Sequence, residues 1–320
     1  MSFQNISRQA ITEFVFKGFD TVQSPLVVGV VMLILYILVM ITNTANICFI
    51  VMDKRLHQQM YLFICNLALV DIVFCTSACP TMIGVLVVRH NSISYAPCIV
   101  QMFLFYFCSL MEAFAISVMA FDRFIAISTP LRYHSILTNV RCVLISIVLW
   151  LAGSAIMAVL PATVVPLQVC YSTVKYMFCD YASVIRATCV DPEPYFNMLS
   201  ILTSVLIFGM FSFICLSYIK IVIVVARMTS KSDKKKAFNT CFSHLIVVIC
   251  FYAPTFIRTV LTRIGVVLTM EERNGLIVGS ILGPSLINPF IYCFRTKEIR
   301  KKLFKLISKA IFAEKRKQYI

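Results

Sequence analysis

Among the side chains that carry charge inside otherwise apolar stretches, four stand out. Asp71 closes the run NLALVD (66–71), and Glu112 sits in the middle of FCSLMEAFA (107–115). An ionisable group buried in such a stretch is costly, so each is a candidate for function. Two acids at similar depth on different segments can share a proton or a cation, with sodium the candidate ion and Asn43 a third polar group nearby. The structural alternative is hydrogen bonding to Ser or Asn partners such as Asn43 and Asn288. The other two charges are adjacent, Asp122 and Arg123. The acid neutralises the arginine, and breaking the pair frees a guanidinium for a partner; the alternative is an arginine that reaches the water at a membrane boundary. Enzymatic chemistry finds little support. His57, His90, His134 and His244 lie far apart, no nucleophile stands near a base, and the 14 cysteines form no facing Cys-x-x-Cys pairs.

The elements that hold these charges follow from composition. Of 320 residues 60% are hydrophobic and only 13% charged, with a mean hydropathy of +0.90. A soluble domain of this size carries about a quarter charged residues. The missing water-facing surface predicts a lipid-facing one. A helix needs about 20 apolar residues to cross the hydrocarbon core, and seven runs qualify: 26–52, 60–87, 98–127, 142–166, 196–226, 237–261 and 274–294. The fold class is therefore all-α and integral to a membrane, a bundle of seven transmembrane helices. Residues 1–25 form the N-terminal segment, 26–294 the seven-helix domain and 295–320 an amphipathic helix and basic tail. Arg8, Glu13, Lys17 and Asp20 precede the first run, so we expect an uncleaved anchor rather than a cleavable signal.

The net charge of +15 does not imply nucleic acid here, because the basic residues flank the runs. Lys54 and Arg55, Arg132 and Arg141, Arg227 and Lys231 to Lys236, and Arg295 to Lys305 all fall on one side. By the positive-inside rule that side is cytoplasmic, with the N-terminus outside. Asn5-Ile6-Ser7 is then an acceptor for glycosylation. Cys98, Cys170, Cys179 and Cys189 fall on the outer side, where oxidising conditions permit disulfides. In 297–312, Ile299, Leu303, Leu306 and Ile307 recur at helical spacing among basic residues, the pattern of a short amphipathic helix on anionic membrane lipid.

Five motifs occur in order: MYLFICNLALVD (60–71), MAFDRFIAISTPLRY (119–133), Ser217-Tyr218, KAFNTCFSHL (236–245), and PSLINPFIYCFR (284–295). Together they resemble the odorant receptors, a branch of the rhodopsin-like G-protein-coupled receptors, over residues 25–302. Thr42 before Asn43, Gln59 before Met60, Phe124 after Arg123 and Ser128 depart from the family pattern. They suggest a divergent member, of a fish or water-borne-odorant branch.

The resemblance implies disulfides Cys98–Cys179 and Cys170–Cys189. It also implies a small odorant bound beneath the cysteine-pinned loop, with Phe105, Tyr106, Ser109, Tyr252, Thr255, Phe256 and Thr259 as candidate contacts. Arg263 stands where the water-borne-odorant branch meets carboxylates, and a guanidinium grips a carboxylate with two hydrogen bonds. The resemblance assigns Asp122, Arg123, Tyr218, Lys236, His244, Asn288, Pro289 and Tyr292 to activation. Its expected partner is a stimulatory heterotrimeric G protein that raises cyclic AMP at the plasma membrane. The rival readings are a rhodopsin-like receptor for another small ligand, and a transporter or channel using Asp71 and Glu112.

Overall fold

The computed structural model describes residues 12–19, 22–263 and 269–295, without the side chains at 236, 240, 258–263, 270 and 292–295. Among these, seven helices are long and apolar enough to cross a membrane. They are α1 (Pro25–Met52), α2 (Gln59–Ile83), α3 (Tyr95–Ser128), α4 (Asn139–Met157), α5 (Glu193–Arg227), α6 (Lys231–Arg263) and α7 (Met270–Arg295). A further helical stretch, Val159–Val164, prolongs α4.

Several helices outrun the apolar spans that announce them. The basic stretch from Lys231 onward, expected in a loop, is the first part of α6. Hydropathy marks where the hydrocarbon ends, and a hydrogen-bonded helix can continue into water beyond that point. Conversely, α1 begins where its apolar run does, with Pro25 in the first turn, where a missing N–H costs nothing. It stops at Asp53, whose carboxylate accepts from the Arg55 amide.

The outer helices bury one stripe and leave much of the rest apolar and exposed. Along α1 the buried positions are Gly29, Met32, Val39, Asn43, Asn46 and Ile50. On α5 only Ile214, Ser217 and Ile221 are buried along 35 residues. Large aliphatic side chains such as Leu151, Ile201 and Val222 face outward. That pattern is uneconomical in water and expected in lipid. The central helix is α3, buried along most of its length and packed against α2, α4, α5 and α6.

The core divides into two apolar clusters. One holds Phe74, Cys79, Phe105, Met111 and Phe178, and the other holds Leu67, Ile116, Met119, Val247 and Phe251. Along α2 the clusters change over between Leu67 and Val70, and along α3 between Met111 and Ala113. Asp71 and Glu112 sit at that boundary, both fully buried, with Ser285 and Asn288 bonded to Asp71 and Asn43 to the Ser285 carbonyl. A polar sheet of side chains therefore cuts the bundle in two.

One end of the bundle is closed by a structure the sequence reading left unformed. Glu13–Phe16 makes a strand, β1, antiparallel to β2 (Ser92–Ser94) and parallel to β3 (Thr173–Val174). Phe14 and Phe16 point into the first cluster. Just beyond, the Gly18 carbonyl accepts from Asn274 Nδ2 at 2.9 Å. A Cβ on Gly18 would collide with the backbone of Tyr176 and Met177. We expect Gly18→Val to cost about 1–3 kcal/mol through overpacking, read as a lower melting temperature of the purified protein; an unchanged melting temperature would mean the β1 segment is not docked.

Candidate functional site

At the strand-capped end two disulfides pin the loop between α4 and α5. Cys98 joins Cys179 across a sequence separation of 81, and Cys170 joins Cys189 across 19. Both pairings are those the resemblance implies. The first ties the loop to α3, and a buried glutamine reinforces it. Gln101 Oε1 accepts from the Cys179 amide at 2.8 Å, while its Nε2 donates to the Ser77 carbonyl and Thr81 Oγ1, each at 2.7 Å. Three elements thus meet on one side chain. Nothing in the sequence singled out Gln101, because its partners lie 20 to 78 residues away.

Beneath this clamp, Phe105 packs on Phe178 of the loop and Phe74 of α2, with ring centroids 4.7 and 5.4 Å apart. Tyr106 donates its hydroxyl to Asp180 Oδ1 at 2.7 Å. Asp180 also caps the short helix Tyr181–Arg186 through a capping box with Ser183. The loop therefore descends onto the α3 residues expected to meet ligand, and Ser109 lies half-buried one turn further along. The α6 candidates form a separate group. Tyr252 and Phe256 pack on Phe211 of α5 with centroids at 5.1 and 4.9 Å, and Thr255 donates back to the Phe251 carbonyl. Tyr252 belongs to the second apolar cluster and Phe105 to the first, so the two groups occupy different depths. The side chains of Thr259 and Arg263 lie outside the described residues, as do those of Lys236 and Tyr292, and all of Asn5 and 297–312.

The polar layer has its own logic. Asp71 Oδ2 accepts from Asn288 Nδ2 at 3.1 Å and Oδ1 from the Ser285 hydroxyl at 3.3 Å. Pro289 has no N–H, so the Ser285 carbonyl four residues earlier loses its helical donor. Asn43 Nδ2 supplies one instead, at 3.0 Å. This accounts for a buried asparagine on α1 as the partner of a proline-opened turn on α7. Asn43 therefore serves Ser285 rather than Asp71. Glu112 is different. Among the described residues neither of its carboxyl oxygens has a hydrogen-bond partner, and the amide oxygens of Asn43 and Asn288 also lack one. Glu112 lies within electrostatic reach of Asp71. Oxygen acceptors without donors are what a proton or a small hard cation would complete. Among the described residues no group of three or more His, Cys, Asp or Glu side chains is placed to hold a metal ion, so such a cation would rest on a carboxylate pair and amide oxygens.

At the opposite end the Asp122–Arg123 pair is formed, with Arg123 Nη2 at 2.6 Å from Asp122 Oδ2. The other oxygen, Oδ1, accepts from the Tyr133 hydroxyl at 2.6 Å. Tyr133 stands on the single turn Tyr133–Ile136 that follows α3. Burial, then the Asp122 carboxylate, raises the Tyr133 hydroxyl above the usual tyrosine range. It therefore remains a donor at physiological pH. Tyr133 stands within the MAFDRFIAISTPLRY motif, but its role as the second hand on Asp122 is set by tertiary packing that the motif does not reveal.

A second clamp holds α6. His244 is buried, with Nδ1 2.7 Å from the Tyr218 hydroxyl of α5 and Nε2 3.1 Å from the Ile116 carbonyl of α3. A carbonyl can only accept, so a proton is assigned to Nε2; the Tyr218 hydroxyl facing Nδ1 also donates to the Cys241 carbonyl at 3.2 Å. One imidazole thereby joins three helices, near the end of α6 that must move if the bundle is to open there.

Comparison with known proteins agrees with this architecture. A family model described as olfactory receptor matches residues 32–310. The chain is 32% identical to olfactory receptor 10G4 of Homo sapiens, over 89% of this chain and 91% of that one. It is 35% identical to the olfactory receptor-like protein OLF3 of Canis lupus familiaris, over 93% and 94% respectively. Against olfactory receptor 1M1 of Mus musculus the identity is 33%, over 87% and 89%.

Proposed function

Because the chain belongs to the olfactory receptor family, which comprises multi-pass membrane receptors and not enzymes, we propose that it binds a small odorant and activates a stimulatory heterotrimeric G protein. The odorant occupies the disulfide-bonded half of the bundle, and the output is a rise in cyclic AMP. The basic end of the bundle is cytoplasmic and the strand-capped end extracellular, as the distribution of Lys and Arg favours.

The observation that carries the reading is the paired restraint at the basic end: Arg123 held by Asp122, and α6 held to α3 and α5 through His244. Such an arrangement is a resting state with a stored alternative. A ligand that binds better when the α6 contacts are rearranged shifts the population by the difference in its two affinities. The inner end of α6 then parts from α3, Arg123 is released, and the basic face accepts the G protein. Asn288, Pro289 and Tyr292 transmit the shift through α7. The polar layer contributes the other restraint: a proton or sodium ion on Glu112 and Asp71 stabilises the resting packing, and losing it favours the active one.

We further propose that the odorant carries a carboxylate and that Arg263, at the outer end of α6, receives it, with Phe105, Tyr106 and Phe256 supplying apolar surface. The test is cyclic AMP in cells expressing the receptor and the olfactory G protein, challenged with carboxylic acids, amino acids and neutral volatiles. Arg263→Ala should lower the potency of acids roughly tenfold to a hundredfold, the worth of a charge-assisted hydrogen-bond pair, with surface expression unchanged. A receptor that answers only to neutral ligands, or answers acids equally without Arg263, contradicts the carboxylate assignment and leaves the receptor reading intact.

A further inference from the structure

The groove of about 510 Å³ on the lipid-facing side of the bundle is not used by any step above. Its walls are Ile50 and Val51 at the end of α1, Leu62 and Cys65 at the start of α2, and Val140, Val143 and Leu144 on the first turns of α4. On α4 these positions fall on one face, and all three are exposed. Two polar residues, His57 and Asn139, complete the lining. They sit together, since Asn139 Nδ2 donates to the His57 carbonyl at 3.0 Å. The His57 ring is anchored by Nε2 to the Val51 carbonyl at 3.1 Å.

The groove is thus a hydrocarbon slot with a polar end, and that end is positively charged. Lys54 and Arg55 occupy the single helical turn just before His57, and both are exposed. Arg141 follows Asn139 by two residues, with Nη1 donating to the Ser135 and Ile136 carbonyls. One acid, Asp53, stands in the same turn, its carboxylate accepting from the Arg55 amide. Cations therefore outnumber acids here by three to one, counting Lys54, Arg55 and Arg141 against Asp53.

We infer that this groove is a binding site for one anionic phospholipid, with an acyl chain laid between α1, α2 and α4 and the phosphate at Lys54, Arg55 and His57. A concave apolar slot inside the membrane selects a chain, and the cluster of cations at its mouth selects the charge of the head group. The placement in the cytoplasmic leaflet rests on the orientation proposed above. The binding itself does not, nor does it depend on any odorant.

The chain carries a single tryptophan, Trp150, and it is well placed to report. Its indole N–H donates to Asn66 Oδ1 at 2.8 Å, next to the groove residue Cys65. It lies about 9 Å along α4 from Leu144, from six residues of helical rise, within the length of an acyl chain that extends beyond the slot.

The experiment is quenching of Trp150 fluorescence in purified full-length receptor, reconstituted in nanodiscs whose two leaflets are identical. Brominated phosphatidylserine or brominated phosphatidylcholine is titrated against its unbrominated form. A site of this kind gives the anionic lipid a relative binding constant roughly fivefold or more above the zwitterionic one, as expected for cations near the surface. The preference should vanish in the Lys54→Gln, Arg55→Gln double variant, whose changes are on exposed side chains. Filling the slot with Val143→Phe should lower quenching by brominated phosphatidylserine. Equal quenching by the two lipids, a preference that survives the double variant, or stronger quenching by a brominated sterol than by phosphatidylserine would overturn the assignment. Symmetric leaflets make the result independent of orientation, so failure here would leave the receptor reading untouched.

Discussion

Cys179→Ser is expected to leave little receptor at the cell surface and no response to any ligand. The Cys98–Cys179 bond closes a loop of 81 residues, and both cysteines are fully buried. On the chain-entropy argument such a crosslink contributes about 4.5 kcal/mol. Its loss also disturbs what hangs on it. The Cys179 amide bonds Gln101, Phe178 packs on Phe105, and Asp180 accepts from Tyr106. Ligand contact and fold stability therefore fail together. Cys170→Ser removes a bridge across only 19 residues and should cost less, about 3 kcal/mol for a loop of this size. Surface labelling of the two variants in intact cells checks the order. Equal surface levels for Cys179→Ser and wild type would contradict the role given to the loop.

Asp122→Asn should raise cyclic AMP in the absence of ligand. The asparagine keeps the size of the aspartate and can still accept from Tyr133, but it no longer holds Arg123 by charge. Hydrogen bonds to a charged group are worth about 1.5–3 kcal/mol, so the resting state should lose roughly tenfold or more in population ratio. Tyr133→Phe removes one neutral-to-charged bond at 2.6 Å and should raise basal signalling by a smaller factor. Because Tyr133 keeps its proton at physiological pH, this contact should not make basal activity vary between pH 6 and 8. The readout is cyclic AMP normalised to surface receptor. Basal activity unchanged in Asp122→Asn would mean that the pair does not restrain the resting state.

The seven helices were legible because lipid demands long apolar runs, and each run maps onto one helix to within a few residues apart from the basic start of α6. Asp71 and Glu112 were legible for the same reason, as charges in an apolar background. What escaped was pairing across the chain. The segment Glu13–Phe16 has only four residues of alternation, too few to announce a strand, and its partners lie far downstream at Ser92 and Thr173. Gln101 carries no signal in the sequence, although it bonds three elements. Asn43 was grouped with Asp71 by depth alone, whereas the proline geometry of α7 gives it to the Ser285 carbonyl. Depth along a helix is readable from a sequence; the direction a side chain faces, and what meets it there, belong to tertiary packing.

The direct measurement of the central claim is ligand-evoked cyclic AMP from Arg123→Ala, set beside ligand binding to the same cells. Arg123 touches no proposed ligand contact, since it is bonded to Asp122 at the far end of α3. The account predicts wild-type binding with the cyclic AMP response abolished, and no membrane current in either receptor when the G protein is absent. A full cyclic AMP response from Arg123→Ala, or a ligand-evoked current without the G protein, would contradict it.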